Sequence, residues 1–202
     1  MDLNKLFKAQ AELDKHIVEE KGLQGQDLLK KKTVALICEL YECINEARFF
    51  KFWSEKQSPN KGKSIPIECG LCDGVGVDTF GVFNERCSEC DGTGLSGEYH
   101  QEPNPLLEEF ADTLHFAISI ANDVGLYDYE FGDSRSRDLN DLTLGITNLA
   151  TLIPECPTKK NVRTLLNLII KLGYQLGFTE DEVIESYHSK NKENHLRQET
   201  GY

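Results

Sequence analysis

The sequence predicts an all-α helical bundle interrupted by one small non-helical insert. Three observations carry that reading. Apolar residues recur at helical spacing through most of the chain, and strand signals are scarce outside one stretch. That stretch, residues 67–98, is rich in glycine and holds two C-x-x-C pairs unlike anything around them. Residues 1–66 and 99–202 are therefore read as one helical domain and 67–98 as an insert.

In chain order, Leu3, Leu6, Phe7, Leu13, Ile17 and Val18 predict a helix over 3–21. "GLQGQ" at 22–26 breaks it, and Asp27 can cap the next helix. From Leu28 to about Trp53, Leu28, Leu29, Val34, Ile37, Leu40, Ile44 and Phe49 fit a mostly buried helix, and "SEKQSPNKGKSIP" at 54–66 reads as linker. Pro103 and Pro105 mark the return to helix. The stretch "LLEEFADTLHFAISIAND" at 106–123 is too apolar for a surface helix and belongs at the centre of the bundle. After a polar loop, helices follow near 138–152, 158–176 and 179–189. The last opens with Thr179 and, three residues on, Glu182, the capping-box pattern.

Charged residues make up 28% of the chain and the net charge is −12, which disfavours bulk binding to nucleic acid. An acidic protein can still take an anionic substrate if it recruits divalent cations. The longest apolar runs, such as "LLNLII" at 165–170, are too short to span a bilayer. "MDLNKLFKAQAELDKH" has no apolar signal-peptide core. The expectation is a soluble, cytoplasmic protein without a membrane partner.

The insert contains an internal repeat, C-x-x-C-D-G-x-G, as "CGLCDGVG" at 69–76 and "CSECDGTG" at 87–94. Cys69, Cys72, Cys87 and Cys90 offer four thiolates, the donor set of a closed, structural Zn²⁺ site. A redox dithiol pair is the competing reading. The residues between the pairs could form a β-hairpin with Val77, Phe80, Val82 and Phe83 as its apolar surface. The repeat resembles the zinc-binding modules of the DnaJ chaperone family, which use four such repeats where this chain has two. Such a module could clamp a lid, bind a partner protein or help a dimer form. Cys38 and Cys43 lie in an apolar helical pattern and read as small hydrophobes.

Glu39 and Glu42 stand at i,i+3 on one helix, and Glu46 extends the row by a turn. Glu109 and Asp112 repeat the i,i+3 spacing in the apolar helix 106–123. Acids in such surroundings are costly unless they meet cations or stay wet. Two helices with two carboxylates each make an oxygen-rich site suited to Mg²⁺. The plainer alternative places both pairs on solvated faces, and Glu108 is read that way. Near the C-terminus Lys190, Asn194 and Arg197 fall at i, i+4 and i+7, two cations and an amide for phosphate oxygens, unless the tail is simply solvated. In "RFFKFW", Lys51 sits among Phe49, Phe50, Phe52 and Trp53, where a nucleoside could stack; an aromatic run can also be ordinary core.

"ELYECINEARFFKFW", "EEFADTLHFAIS" and "YHSKNKENHLRQETGY" resemble, in order and spacing, the successive motifs of the dimeric all-α dUTPase family. That family belongs to the all-α NTP pyrophosphatases, with MazG-type proteins and phage dCTPases. The resemblance runs from "LFKAQAELDKHI" to Tyr202, and the cysteine segment interrupts it. It implies an Mg²⁺-dependent hydrolysis of dUTP to dUMP and pyrophosphate, with dUDP as a second candidate substrate. Glu39, Glu42, Glu109 and Asp112 would hold two or more Mg²⁺ ions, and Glu39 would orient or deprotonate the attacking water. Trp53 and its neighbours, among them Glu46 and Lys51, would line the nucleoside pocket. Gln10 would hydrogen-bond uracil and His115 would contact the deoxyribose or orient the ligand. Lys190, Asn194 and Arg197 would bind phosphates, and the protein would be a homodimer. The rival readings are a pyrophosphatase for dCTP or another nucleotide, a zinc-dependent protein-binding or chaperone-like module on a helical scaffold, and a nucleotide-operated regulatory switch.

Overall fold

A computed structural model of the chain describes residues 3–77, 85–101, 104–129 and 138–201. The expected hairpin residues Phe80, Val82 and Phe83, together with Pro103 and Tyr202, lie outside the described residues. Among those described, six helices and one two-stranded sheet form: α1 (Asn4–Glu20), α2 (Leu29–Ala47), β1 (Lys63–Glu68), β2 (Leu95–Gln101), α3 (Pro105–Asp123), α4 (Leu139–Leu152), α5 (Lys159–Gln175) and α6 (Glu180–Thr200). The all-α body and the small cysteine-bearing module are the fold class that the periodicity predicts. No described helix is long and apolar enough to cross a membrane.

The chain divides into two compact units, residues 1–60 with 105–202 and residues 61–104. In the first, α3 is the central element: Leu106, Phe110, Leu114, Ala117, Ile118, Ile120 and Ala121 are fully buried. They pack into one core with Leu36, Leu40 and Cys43 of α2, Leu3 just before α1 and Leu6 within it, Leu165 and Ile169 of α5, and Tyr187 of α6. Gly173 of α5 lets α3 come close, since a Cβ there would lie 2.5 Å from Phe110 Cζ.

Helix ends follow the sequence signals in part. Thr179 and Glu182 form the full capping box of α6, and Asp27 Oδ1 accepts from the Leu29 N–H at 3.0 Å. Two boundaries differ from the periodicity. The second helix stops at Ala47 rather than Trp53, because Arg48 takes the left-handed conformation (φ 62°) and its N–H closes back on the Ile44 carbonyl. The last helix runs to Thr200 rather than 189, so the basic tail is helical. The stretch read as linker, 54–66, contains the first four residues of β1.

In the second unit β1 and β2 pair antiparallel from Lys63 opposite Gln101 to Glu68 opposite Leu95, with an irregularity at Ile67/Glu68. The two cysteine repeats fold as near-copies. Gly76 N donates to Cys72 Sγ at 3.2 Å and Gly94 N to Cys90 Sγ at 3.3 Å. Asp73 and Asp91 share positive φ (46° and 49°), as do Gly74 and Gly92 (80° and 81°). Cys87 N donates to Gly76 O and Cys69 N to Gly94 O. The repeat in sequence is thus an approximate dyad in space, and the glycines are required because L side chains rarely adopt these φ values.

Candidate active site

Helices α2 and α3 bring three acids together. Ligand oxygens of Glu39, Glu42 and Glu109 all lie within 4.8 Å of one another. The i,i+3 spacing stacks Glu39 and Glu42 on one face, and apolar packing on either side holds that face to α3. Burial, then the neighbouring charges of Asp112 and Glu42, pushes the Glu39 carboxyl up to about 7. Burial, followed by Glu42, Asp112, Glu39 and Glu108, does the same to Glu109, also to about 7. Three acids this close repel one another, and a cation is what relieves them. Oxygens at this spacing, half-buried or open to solvent, fit a hard divalent ion such as Mg²⁺.

Asp112, the fourth expected acid, faces a cation that the protein itself supplies. Lys190 Nζ lies 3.0 Å from Asp112 Oδ2 and donates to Glu108 Oε1 at 2.7 Å. Glu193 stands 3.7 Å away on the same side and also takes Arg197 Nη2 at 2.7 Å. Burial raises the Asp112 carboxyl, opposed by Lys190. For Lys190, burial works against the charge, but the Glu108 hydrogen bond and the Asp112 charge outweigh it and hold the ammonium above its ordinary range. Asn194 Oδ1 accepts from Arg197 Nη1 at 3.3 Å, so the three tail residues do share a face. Glu108 is not the solvated bystander that its sequence context suggests. Its place one turn before Asp112 is the signal that could have found it. Glu193 becomes visible only once the tail is known to be helical.

Gln10 sits beside this group, in a buried polar network. It is 3% exposed. Its Oε1 accepts from Tyr187 Oη at 2.6 Å and lies 2.7 Å from His115 Nδ1, while its Nε2 donates to Asp14 Oδ1 at 2.8 Å. Asp14 Oδ2 in turn accepts from Ser119 Oγ at 2.7 Å. His115 stacks on Tyr187 with ring centroids 3.8 Å apart. Its Nε2 is 3.2 Å from the Tyr187 carbonyl. Both ring nitrogens thus face oxygens, which favours a proton on each, but burial wins and lowers the imidazole to about 4. The neutral ring carries its proton on Nδ1, the shorter contact. The Gln10 carbonyl oxygen is therefore engaged twice, while its Nε2 makes one bond, to Asp14, among the described residues. Tyr187 gives no sequence signal beyond its apolar register in α6.

The aromatic stretch lies past the end of α2. Trp53 is 65% exposed and Phe52 87%. Trp53 meets Phe50 and Phe52 edge-on at 5.7 and 5.1 Å between centroids. Lys51 Nζ donates to the Asn45 carbonyl at 3.2 Å. Glu46 is occupied: its Oε2 accepts from Asn60 Nδ2 at 2.6 Å and lies 3.9 Å from Arg48 Nη2.

In the second unit the four expected cysteines converge and are buried. Sγ atoms are 3.8 Å apart for Cys69–Cys87 and 3.7 Å for Cys72–Cys90. A tetrahedron of sulfurs at the Zn–S distance of about 2.3 Å has edges of about 3.8 Å, so the cluster fits Zn²⁺. Disulfides, at about 2.05 Å, are not formed. Burial opposes the Cys90 thiolate, but the Gly94 N–H and the Cys87 thiol offset it and bring Cys90 down to about 6.

A family model described as dUTPase matches the chain over residues 2–74 and 96–202. No curated protein matches it.

Proposed function

The chain belongs to the all-α dUTPase family, a family of dUTP diphosphatases, and from that premise we propose how its residues divide the work. Pyrophosphohydrolysis of dUTP or a related nucleotide is the activity that comes with the family. We propose that Glu39, Glu42, Glu109 and Asp112 hold divalent cations, Mg²⁺ by the hardness of the donor set. When bound, such ions neutralise the triphosphate and make its phosphorus electrophilic. Glu39, a half-buried carboxylate of that cluster, orients or deprotonates the attacking water. The chain breaks between its first and second phosphates, giving dUMP and pyrophosphate.

Lys190, Asn194 and Arg197 bind the phosphate oxygens. Supporting this, Lys190 is held beside Asp112 by Glu108, so an incoming cation and phosphate can exchange partners with it over a short distance. The nucleoside lies towards Gln10, with His115 and Tyr187 fixing the Gln10 amide. The exposed face of Trp53, with Lys51, is the stacking wall. dUDP is a further candidate substrate of the same site. The cysteine cluster holds a structural Zn²⁺. A homodimer forms through α2 and α4, where Val34, Tyr41 and Leu144 are exposed apolar residues.

The observation that carries the proposal is the cluster of three carboxylates from two helices. The test is pyrophosphate release with Mg²⁺ from dUTP, dCTP, dTTP and UTP in parallel, for the natural chain and for Glu42→Gln. Turnover in Glu42→Gln should fall more than about 100-fold, the several kcal/mol that charge neutralisation supplies, with helical circular dichroism unchanged. Full activity in the folded variant sinks the proposal; preference for another nucleotide moves the base assignment only.

A further inference from the structure

Asn60 satisfies one orphan backbone group on each of the two acid-bearing helices. Its N–H donates to the Glu46 carbonyl at 2.9 Å, in the last turn of α2, where carbonyls lose their intrahelical donors. Its own carbonyl accepts from the Leu106 N–H at 3.2 Å, in the first turn of α3. The side chain adds a third bond, Nδ2 to Glu46 Oε2 at 2.6 Å, assisted by the carboxylate charge. Glu46 is one turn beyond Glu42, and Leu106 is three residues before Glu109. The bracket therefore crosses the α2–α3 seam within a turn of the carboxylates on both sides. Apolar packing below them sets the seam's spacing only coarsely. A divalent ion that wants oxygens at about 2.0–2.1 Å is less forgiving.

We infer that Asn60 is a positioning residue for the carboxylate cluster. Its side-chain amide anchors Glu46 and so sets the register of the Glu42 turn against the Glu109 turn, and with it the affinity for the divalent cation. The inference rests on reading Glu39, Glu42 and Glu109 as the cation site. Asn60 acts on that site through Glu46 and the two helix ends. Removing its amide leaves both backbone bonds in place, so the helices keep their ends and lose only the fastening.

The test is a Mg²⁺ titration of pyrophosphate release from dUTP on the full chain, for the natural protein, Asn60→Ala, Asn60→Leu and Glu42→Gln. Direct Mn²⁺ binding is followed in parallel by electron paramagnetic resonance. In Asn60→Ala the half-saturating Mg²⁺ concentration should rise about tenfold, the usual effect of losing an outer partner of a ligand set. Turnover at saturating Mg²⁺ should stay within about twofold of the natural protein. Asn60→Leu removes the same amide while keeping its bulk and the Glu46 charge, should show the same shift, and serves if Asn60→Ala does not fold. An unchanged half-saturation in both overturns the inference, as does a loss of turnover that Mg²⁺ cannot restore. Glu42→Gln reports separately on the underlying reading. If it keeps natural turnover and Mn²⁺ binding, the cation site is wrong; if it loses both while Asn60→Ala behaves as the natural protein, only the positioning role is wrong.

Discussion

Glu39 and Glu109 are each pushed up to about 7 by burial and by like charges. Acids with raised native pKa values bind more protons folded than unfolded between about pH 4.5 and 7, so unfolding becomes easier as pH rises through that window. The cation-free protein should therefore melt at a lower temperature at pH 8 than at pH 5.5, and added Mg²⁺ should erase the difference by taking the place of the protons. Differential scanning calorimetry at the two pH values, with and without Mg²⁺, checks both halves. His115 acts in the opposite sense. Its pKa is lowered to about 4, so its contribution is present above about 6.5 and lost as pH falls through 4. As the pH falls, the carboxylates should thus be relieved first, through about 7, and the Gln10 network lost afterwards, towards 4. Of these residues, the acids were legible because i,i+3 pairs in so apolar a helix fit a solvated face poorly. The saturation of Gln10 was not, since its partners Tyr187 and His115 come from helices remote in sequence. Nor was Asn60, which sits among polar residues of the kind that usually fill linkers.

At the level of elements, the site depends on how closely α3 approaches its neighbours. Gly173 is a point of close approach, with Phe110 beneath it and Glu109 the next residue along. Gly173→Ala should destabilise the fold by roughly 1–3 kcal/mol through overpacking, measured by urea denaturation, and should weaken Mg²⁺ activation because the Phe110 shift carries Glu109 with it. The periodicity located every described helix, for amphipathic spacing survives whatever the helix packs against. It misplaced two ends. Apolar residues continue past Ala47, but the turn at Arg48 is made by a backbone conformation that no side-chain pattern announces. The polar stretch after 189 stays helical because its charges pair with one another and with Glu108 of α3. The strand β1 escaped notice because Lys63 and Pro66 read as linker, and β2 because only Leu95 and Tyr99 in it are apolar, too few for a strand's alternation. In the cysteine repeats, Cys72→Ser should lower bound zinc, measured per chain by metal analysis, from one equivalent to near none, because three thiolates leave the tetrahedron open.

For the whole molecule, the division into two units has a direct test. The helical body owns its apolar core, and the core cluster of the second unit consists of its four cysteines. Cys72→Ser should therefore leave the helical melting transition within about 2 °C of the natural protein, the shift of well under 1 kcal/mol, and calorimetry would show it. The family match itself passes from residue 74 to 96, leaving out a stretch that includes the second cysteine pair. The hydrogen bond between the Asn60 carbonyl and the Leu106 N–H, 3.2 Å long, pinches shut the point at which the chain departs from the body and rejoins it. Once departure and return adjoin, the excursion between them is a closed loop, and the entropy of closing a flexible loop grows only with the logarithm of its length, about 0.6 kcal/mol for each doubling. That spot works as a grafting port, where chain can be lengthened, shortened or exchanged with little consequence for the stability of the body it hangs from.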